Sequence, residues 1–375
     1  MPTRQGWSAL VVAVASCAIG RAFGLIEMYV LGVGMATAVL LAFLSLRRPL
    51  PRLQVRRALQ PSTVSVGQPA RVDFQMRNTG TRRSPYMRLW EPVGAQGGAP
   101  MQVASLPAGE AASAAYRVPT SKRGQMTIGP LHARYHDVLG LCARSTVLAG
   151  SDEILIIPEY VVLPFPSRGA SGRLGQHLRM KAYGQTGTEF HSMREYVPGD
   201  DLRRISWKAS ARSTNLMVRE TAVEGIRRCT IVFDTEAVTY DDESFEVAVS
   251  AAASITTSAA AAGVATRLLT PEVDLRGPDV AFNSLRWLAT VQPTAAGVDV
   301  ALVSSGPADG LGLVIAISAD VDTLAARVRA VANTDETIVP IGVGDTPVSG
   351  RFAVQAHSLG DLTGLWTQLV NGAVR

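Results

Sequence analysis

The chain holds few of the residues that carry recognisable chemistry. Its three cysteines, Cys17, Cys142 and Cys229, stand far apart without metal-ligand spacing, so no disulfide framework is expected and each reads as a small core or membrane residue. A glycine-rich phosphate loop ending in Lys and Ser or Thr is missing, as are paired histidines on a helix and a nucleophile elbow. Their absence removes the commonest nucleotide-hydrolysing, zinc-protease and serine-hydrolase readings. The net charge is +5, but much of the excess lies in one arginine cluster near the N-terminus, and no basic run with interleaved aromatics follows it, so nucleic acid is not an expected partner. Charge is scarcest from Trp7 to Leu46, where Arg21 and Glu27 are the two formal charges.

That scarcity points to the membrane. About forty apolar residues are too many for one span and suit two of roughly 17 to 20 residues, with Arg21, Gly24 and Glu27 at the turn. Arg4 flanks one side and Arg47, Arg48, Arg52, Arg56 and Arg57 the other, which puts both flanks in the cytoplasm. The expectation is a transmembrane helical hairpin over 1–50 in the cytoplasmic membrane, multi-pass, with the lipid bilayer as a partner and the soluble remainder cytoplasmic. Val14-Ala15-Ser16-Cys17 has the order of a lipobox, but the apolar stretch continues past Cys17 where a lipoprotein would turn polar.

The remaining length leaves room for two soluble domains. Residues 51–165 read as β structure. Val72, Phe74 and Met76 alternate with polar neighbours up to the turn sequence Asn78-Thr79-Gly80, and Leu131, Ala133 and Tyr135 alternate in the same way. A small sandwich of immunoglobulin-like type is expected. His132 and His136 share a strand face without an obvious third metal ligand and read as solvent-face residues. Asp137-Val138-Leu139-Gly140-Leu141 and Arg123 to Pro130 read as turns and strand ends, with no chemistry assigned.

From 227 to 375 the period changes. Cys229 to Phe233 is a buried strand ending at Asp234, and Phe245 to Ala262 is a helix closed by Gly263. Strands at 265–269, 311–318 and 337–343 alternate with helices at 281–291 and 320–332, the pattern of an α/β domain with a mostly parallel sheet.

Between the two, 166–226 forms a signature segment linking the domains, densest in acid, base and aromatic residues: Arg194, Glu195, Tyr196, Gly199, Asp200, Asp201, Arg203, Arg204, Trp207, Lys208 and Arg212. Asp200 is placed to N-cap a short helix from near Asp201, with Leu202, Ile205 and Ala209 as its buried stripe and the bases on the other faces. Such a segment is either a knot of Arg–carboxylate pairs tying the domains together or a docking surface, and a staple can itself stand at an interface.

The signature closely resembles that of the domain of unknown function 58 family. The resemblance extends over the hairpin, the sandwich and the α/β domain, and implies that the last of these is a degenerate von Willebrand factor A-like (Rossmann-type) domain. Ser206 departs from the family pattern, which has an acid before the Trp. Domains of that type often hold Mg²⁺ through Asp-x-Ser-x-Ser, because carboxylates and hydroxyls in a fixed fork suit a hard cation. Here the loop is Asp234-Thr235-Glu236-Ala237-Val238, with Asp320 as a displaced companion, so Asp234, Glu236 and Asp320 are weak metal candidates and no cofactor is expected, Mg²⁺ being the one considered.

The resemblance also implies work beside a MoxR-type AAA+ ATPase and other membrane or envelope proteins. The function expected is a membrane-anchored, non-catalytic adaptor or scaffold in the assembly or maturation of envelope-associated proteins. The alternative is a hydrolase or transferase using the signature as an anion-binding site, with Asp200 or Asp201 as acid or base and Arg203 or Arg212 as clamp.

Overall fold

The computed structural model describes residues 1–95, 97–166, 170–183, 190–197, 202, 205–221, 226–305 and 311–372. The chain divides into two compact units, Met1–Ile156 and Ile157–Arg375.

The first unit opens with two helices, α1 (Arg4–Phe23) and α2 (Ile26–Arg47), each long and apolar enough to cross a membrane. Gly24 joins them at φ +69°, a left-handed conformation that only glycine adopts without strain. The helices meet through small residues. A Cβ at Gly32 would lie 2.5 Å from Cys17 Sγ and 2.8 Å from the Ala13 carbonyl oxygen, so the approach requires glycine. Thr3 caps α1, its Oγ1 accepting from Gly6 N at 3.1 Å.

Ten strands follow: β1 (Leu53–Gln60), β2 (Thr63–Ser65), β3 (Ala70–Asn78), β4 (Met87–Pro92), β5 (Gly98–Val103), β6 (Ala111–Val118), β7 (Gly124–Ile128), β8 (Leu131–His136), β9 (Ala143–Ala149) and β10 (Asp152–Ile157). They form sheets of order β1-β3-β6, β5-β4-β8-β9 and β2-β10-β7. The alternation read on β3 and β8 holds, with Val72, Phe74, Met76, Leu131, Ala133 and Tyr135 all buried. One core joins Phe74 and Met76 to Met87, Leu89 and Leu131, and a second joins Val72, Val118, Ile128 and Ile154. The first core also takes in Val39, Ala42 and Leu46 of α2, so hairpin and sandwich share packing.

A polar network crosses the sandwich. Glu91 on β4, whose side chain has no solvent exposure, pairs with Arg57 on β1 and accepts the Tyr116 hydroxyl of β6 at 2.6 Å. Arg57 also donates to Asp152 on β10 at 2.6 Å and to the Gly150 carbonyl at 2.9 Å. Desolvation, then the hydrogen bond to Glu91, pushes the Tyr116 hydroxyl pKa well above its usual value.

In the second unit, residues 158–166 lie along a long helix instead of closing the sandwich. Val161 N and Leu163 N donate to Ser254 and Ser258 hydroxyls at 3.1 and 2.8 Å. The β unit therefore ends at Ile156, short of the boundary at 165 that the sequence suggests. The elements are α3 (Arg173–Tyr183), β11 (Phe190–Glu195), α4 (Trp207–Ser210), β12 (Met217–Thr221), β13 (Arg228–Phe233), α5 (Asp242–Ala261), β14 (Ala265–Leu269), β15 (Asp274–Arg276), α6 (Val280–Thr290), β16 (Gly312–Ser318), α7 (Val321–Val331), β17 (Glu336–Val343), β18 (Val354–Ala356) and α8 (Leu359–Asn371).

The main sheet has the order β15-β14-β13-β16-β17-β18, parallel throughout except for β15. Ile231 and Phe233 of β13 face a core shared with α3, α5, α6 and α8, while Val232 faces one shared with α7. Burial on both faces explains the continuous apolar run. Helix α5 begins three residues before the apolar pattern does, because Asp241 and Ser244 form a capping box. Trp366 of α8 is fully buried, its Nε1 donating to the Pro164 carbonyl at 2.7 Å.

Candidate functional site

Two places carry the candidate residues. The first is the carboxyl edge of the main sheet, where the chain passes from β13 to β14 on one side and returns to β16 on the other. That switch point is where open α/β sheets gather loops around a ligand. Asp234 follows β13 directly and is buried; its Oδ1 accepts from Val298 N at 3.2 Å, and its carbonyl accepts the Tyr240 hydroxyl at 2.6 Å. Burial pushes the Asp234 carboxyl above the usual carboxylate range, with the backbone N–H of Val298 and the charge of Arg327 opposing the shift.

Gly297 lies close to Asp234 and Glu236. A Cβ at Gly297 would meet Glu236 Oε2 at 3.0 Å, Asp234 Oδ1 at 3.5 Å and Arg327 Nη1 at 3.7 Å. Arg327, from α7, is anchored there by donating to the Val298 carbonyl at 2.8 Å. A guanidinium thus stands beside the two carboxylates.

These residues do not fit a hard divalent cation. Val238 has no ligating atom and is 91% exposed. The Thr235 hydroxyl lies 2.8 Å from that of Thr294, and Asp320 is an exposed residue at the start of α7. Among the described residues no group of three or more His, Cys, Asp or Glu side chains could hold a metal ion. Of the three candidates, Asp234 and Glu236 converge on Gly297. Sequence reasoning missed Arg327 and Thr294, which carry no local signal because their roles depend on which loops the sheet order brings together.

The second place is the signature. It is built on an antiparallel hairpin, β11 paired with β12, which the sequence reading did not foresee. Arg194 and Glu195 lie exposed on β11, and Tyr196 N donates to the Leu216 carbonyl at 2.8 Å. Gly199, Asp200, Asp201, Arg203 and Arg204 lie outside the described residues. The start of the helix expected from near Asp201 lies outside the described residues; α4 spans Trp207–Ser210 with Ser206 as N-cap. Of the expected buried stripe, Ile205 alone is buried, and it pairs with Val218 as an isolated bridge while Ser206 N donates to the Met217 carbonyl at 2.8 Å. Pairing to β12 keeps Ile205 and Ser206 extended, immediately before α4. Leu202 is 63% exposed and Trp207 68% exposed, with Lys208 and Arg212 exposed beside the latter in sequence.

Residues 192–345 match the family described as "Protein of unknown function DUF58". "Uncharacterized protein YeaD" of Bacillus subtilis (strain 168) is 26% identical over 146 residues, 37% of this chain. The match spans about a third, 34%, of that protein's length. Among solved structures, the CARDB domain of the PF1109 protein from Pyrococcus furiosus aligns with 29% of this chain and 94% of its own, at 15% identity and a TM-score of 0.22. The PKD domain of an M14-like peptidase from a Thermoplasmatales archaeon aligns with 29% and 96%, at 14% identity and a TM-score of 0.19. The matched region runs from the signature hairpin to the loop after β17, and the family matched is the one that the signature itself resembles.

Proposed function

We propose that the protein is a membrane-anchored, non-catalytic adaptor that docks a partner on its signature segment. The observation that carries this reading is the exposure of Trp207, with Leu202, Lys208, Arg212 and Leu216 also exposed within ten residues of it in sequence. Tryptophan and arginine are the residue types that anchor protein interfaces, and a folded monomer gains nothing from exposing the tryptophan ring. The partner proposed is a MoxR-type AAA+ ATPase, from the family resemblance, acting with other membrane or envelope proteins. The anchor proposed is the α1–α2 hairpin, multi-pass, with both ends and the soluble units on the cytoplasmic side. Support comes from the basic flanks and from the sandwich holding both hairpin ends: Ala143 N donates to the Met1 carbonyl at 2.9 Å and Arg144 Nη1 to the Leu46 carbonyl at 3.0 Å.

The architecture proposed is an immunoglobulin-like sandwich followed by a degenerate von Willebrand factor A-like domain. The six-strand order with one antiparallel edge strand supports the second assignment, as does the acidic residue after the first strand of the sheet. In such a domain Arg327 would supply the positive charge that a cation supplies elsewhere. The test is co-purification of the ATPase from membranes with Lys208→Glu and Arg212→Glu. Both should weaken it in a salt-sensitive way while leaving the melting temperature unchanged; intact co-purification would remove the docking surface named here.

A further inference from the structure

The turn between β8 and β9, Asp137-Val138-Leu139-Gly140-Leu141, has an unusual surface. Val138 is fully exposed and Leu139 is 64% exposed. Neighbouring backbone groups in the turn are nevertheless paired within the protein. Asp137 accepts from Leu139 N at 2.9 Å and from Cys142 N at 2.6 Å, Gly140 N donates to the Asp137 carbonyl at 3.1 Å, and Asp137 N donates to the Cys142 carbonyl at 3.2 Å. Thr3 at the head of α1 supplies two more bonds, its N to the Leu141 carbonyl at 2.8 Å and its Oγ1 to the Gly140 carbonyl at 2.7 Å. An apolar tip on a backbone with much of its hydrogen bonding met internally suits the headgroup and acyl boundary, where the remaining groups still reach water.

The hairpin gives the depth. Cys142 Sγ lies 3.9 Å from the Val39 carbonyl oxygen, and the sandwich core takes in α2 from Val39 to Leu46, with Ala9 and Leu10 of α1 packed against it. Beyond that zone, Val11 to Phe23 leaves about thirteen residues, roughly 20 Å of helix. A hydrocarbon core is about 30 Å thick. The missing length must come from the zone beside the sandwich, where Trp7, Leu40, Leu41 and Leu44 are exposed on the hairpin surface.

We propose that the β8–β9 turn is a third membrane contact, with Val138 and Leu139 seated at the headgroup and acyl boundary of the leaflet that receives α1. The proposal rests on the reading of the hairpin as membrane-spanning. It gives a role to a motif to which the sequence alone assigns no chemistry.

The test uses the full chain with its three cysteines replaced by alanine, reconstituted into phosphatidylethanolamine–phosphatidylglycerol vesicles. An environment-sensitive fluorophore is attached to Val138→Cys, Leu139→Cys, Val14→Cys in the exposed flank of α1, or Ser151→Cys at the opposite end of β9. Positions 138, 139 and 14 should show blue-shifted emission and quenching by acyl-chain spin labels, and position 151 should be quenched by aqueous iodide. Iodide quenching at 138 and 139 with lipid quenching at 14 would overturn the third contact and leave the hairpin anchor standing. Iodide quenching at 14 as well would overturn both.

Discussion

Glu91→Ala should destabilise the sandwich more than any single surface change, and the structure sets the scale. The carboxylate is fully buried and serves two donors, Arg57 on one oxygen and the Tyr116 hydroxyl on the other. Truncation leaves a guanidinium that is 6% exposed without its buried counter-charge. Breaking a buried pair in this way costs about 3–5 kcal/mol. Arg57 keeps Asp152 and the Gly150 carbonyl, and Asp152 is itself half exposed, so the loss should fall near the lower end, about 3 kcal/mol. For a unit of this size that is a fall of roughly 6–12 °C in melting temperature. Calorimetry on the full-length protein in detergent, following the transition of the first unit, is the assay. Replacing Arg57 with Met, Glu91 with Leu and Tyr116 with Phe together should recover most of the loss, because the desolvation of both charges disappears and no hydroxyl is left without its acceptor. If Glu91→Ala melts within a degree or so of the parent, the network is not what joins the sheets.

Three further outcomes are expected. Trp366→Ala should cost about 3–5 kcal/mol, since it empties a buried site, whereas Trp207→Ala should stay within about 0.5 kcal/mol of the parent, as exposed positions do; denaturant titration distinguishes them, and equal losses would show Trp207 to be buried. Because Asp234 has its carboxyl pKa raised by burial, the folded state holds its proton over a window in which the unfolded chain has released it, and stability falls as pH rises through that window. Asp234→Asn should therefore raise the melting temperature at pH 7, with the gain shrinking as pH falls towards the ordinary carboxylate pKa of about 4; a pH-independent gain would refute the assignment. Titration of the full-length protein with Mg²⁺ should give no saturable heat, and stoichiometric binding abolished by Asp234→Asn would show that displaced ligands rebuild a metal site.

What could be read in the sequence was periodic and local. Alternation placed β3 and β8, a continuous apolar run placed β13, and the Ala-rich run closed by Gly263 placed α5, though its start at the Asp241 cap was not read. What could not be read depends on pairing across distance. Nothing near Glu91 announces Arg57 or Tyr116, and nothing near Asp234 announces Arg327 from α7. In the signature the local signals pointed the wrong way. Leu202, Ile205 and Ala209 have helical spacing, but Ile205 and Ser206 instead pair with β12, which breaks a continuous helix there, and Trp207 is exposed at the start of α4. The small strands β15 and β18 were missed because three residues carry too little pattern to rise above a loop.

The adaptor reading meets its most direct test at Trp207. A photo-crosslinking amino acid placed at that position in the full-length protein, activated in intact cells, should trap the MoxR-type ATPase. The adduct should fade when Lys208 and Arg212 are reversed in charge. A crosslink confined to the protein's own chain, with an unchanged melting temperature, would mean that Trp207 faces no such partner and would contradict the account.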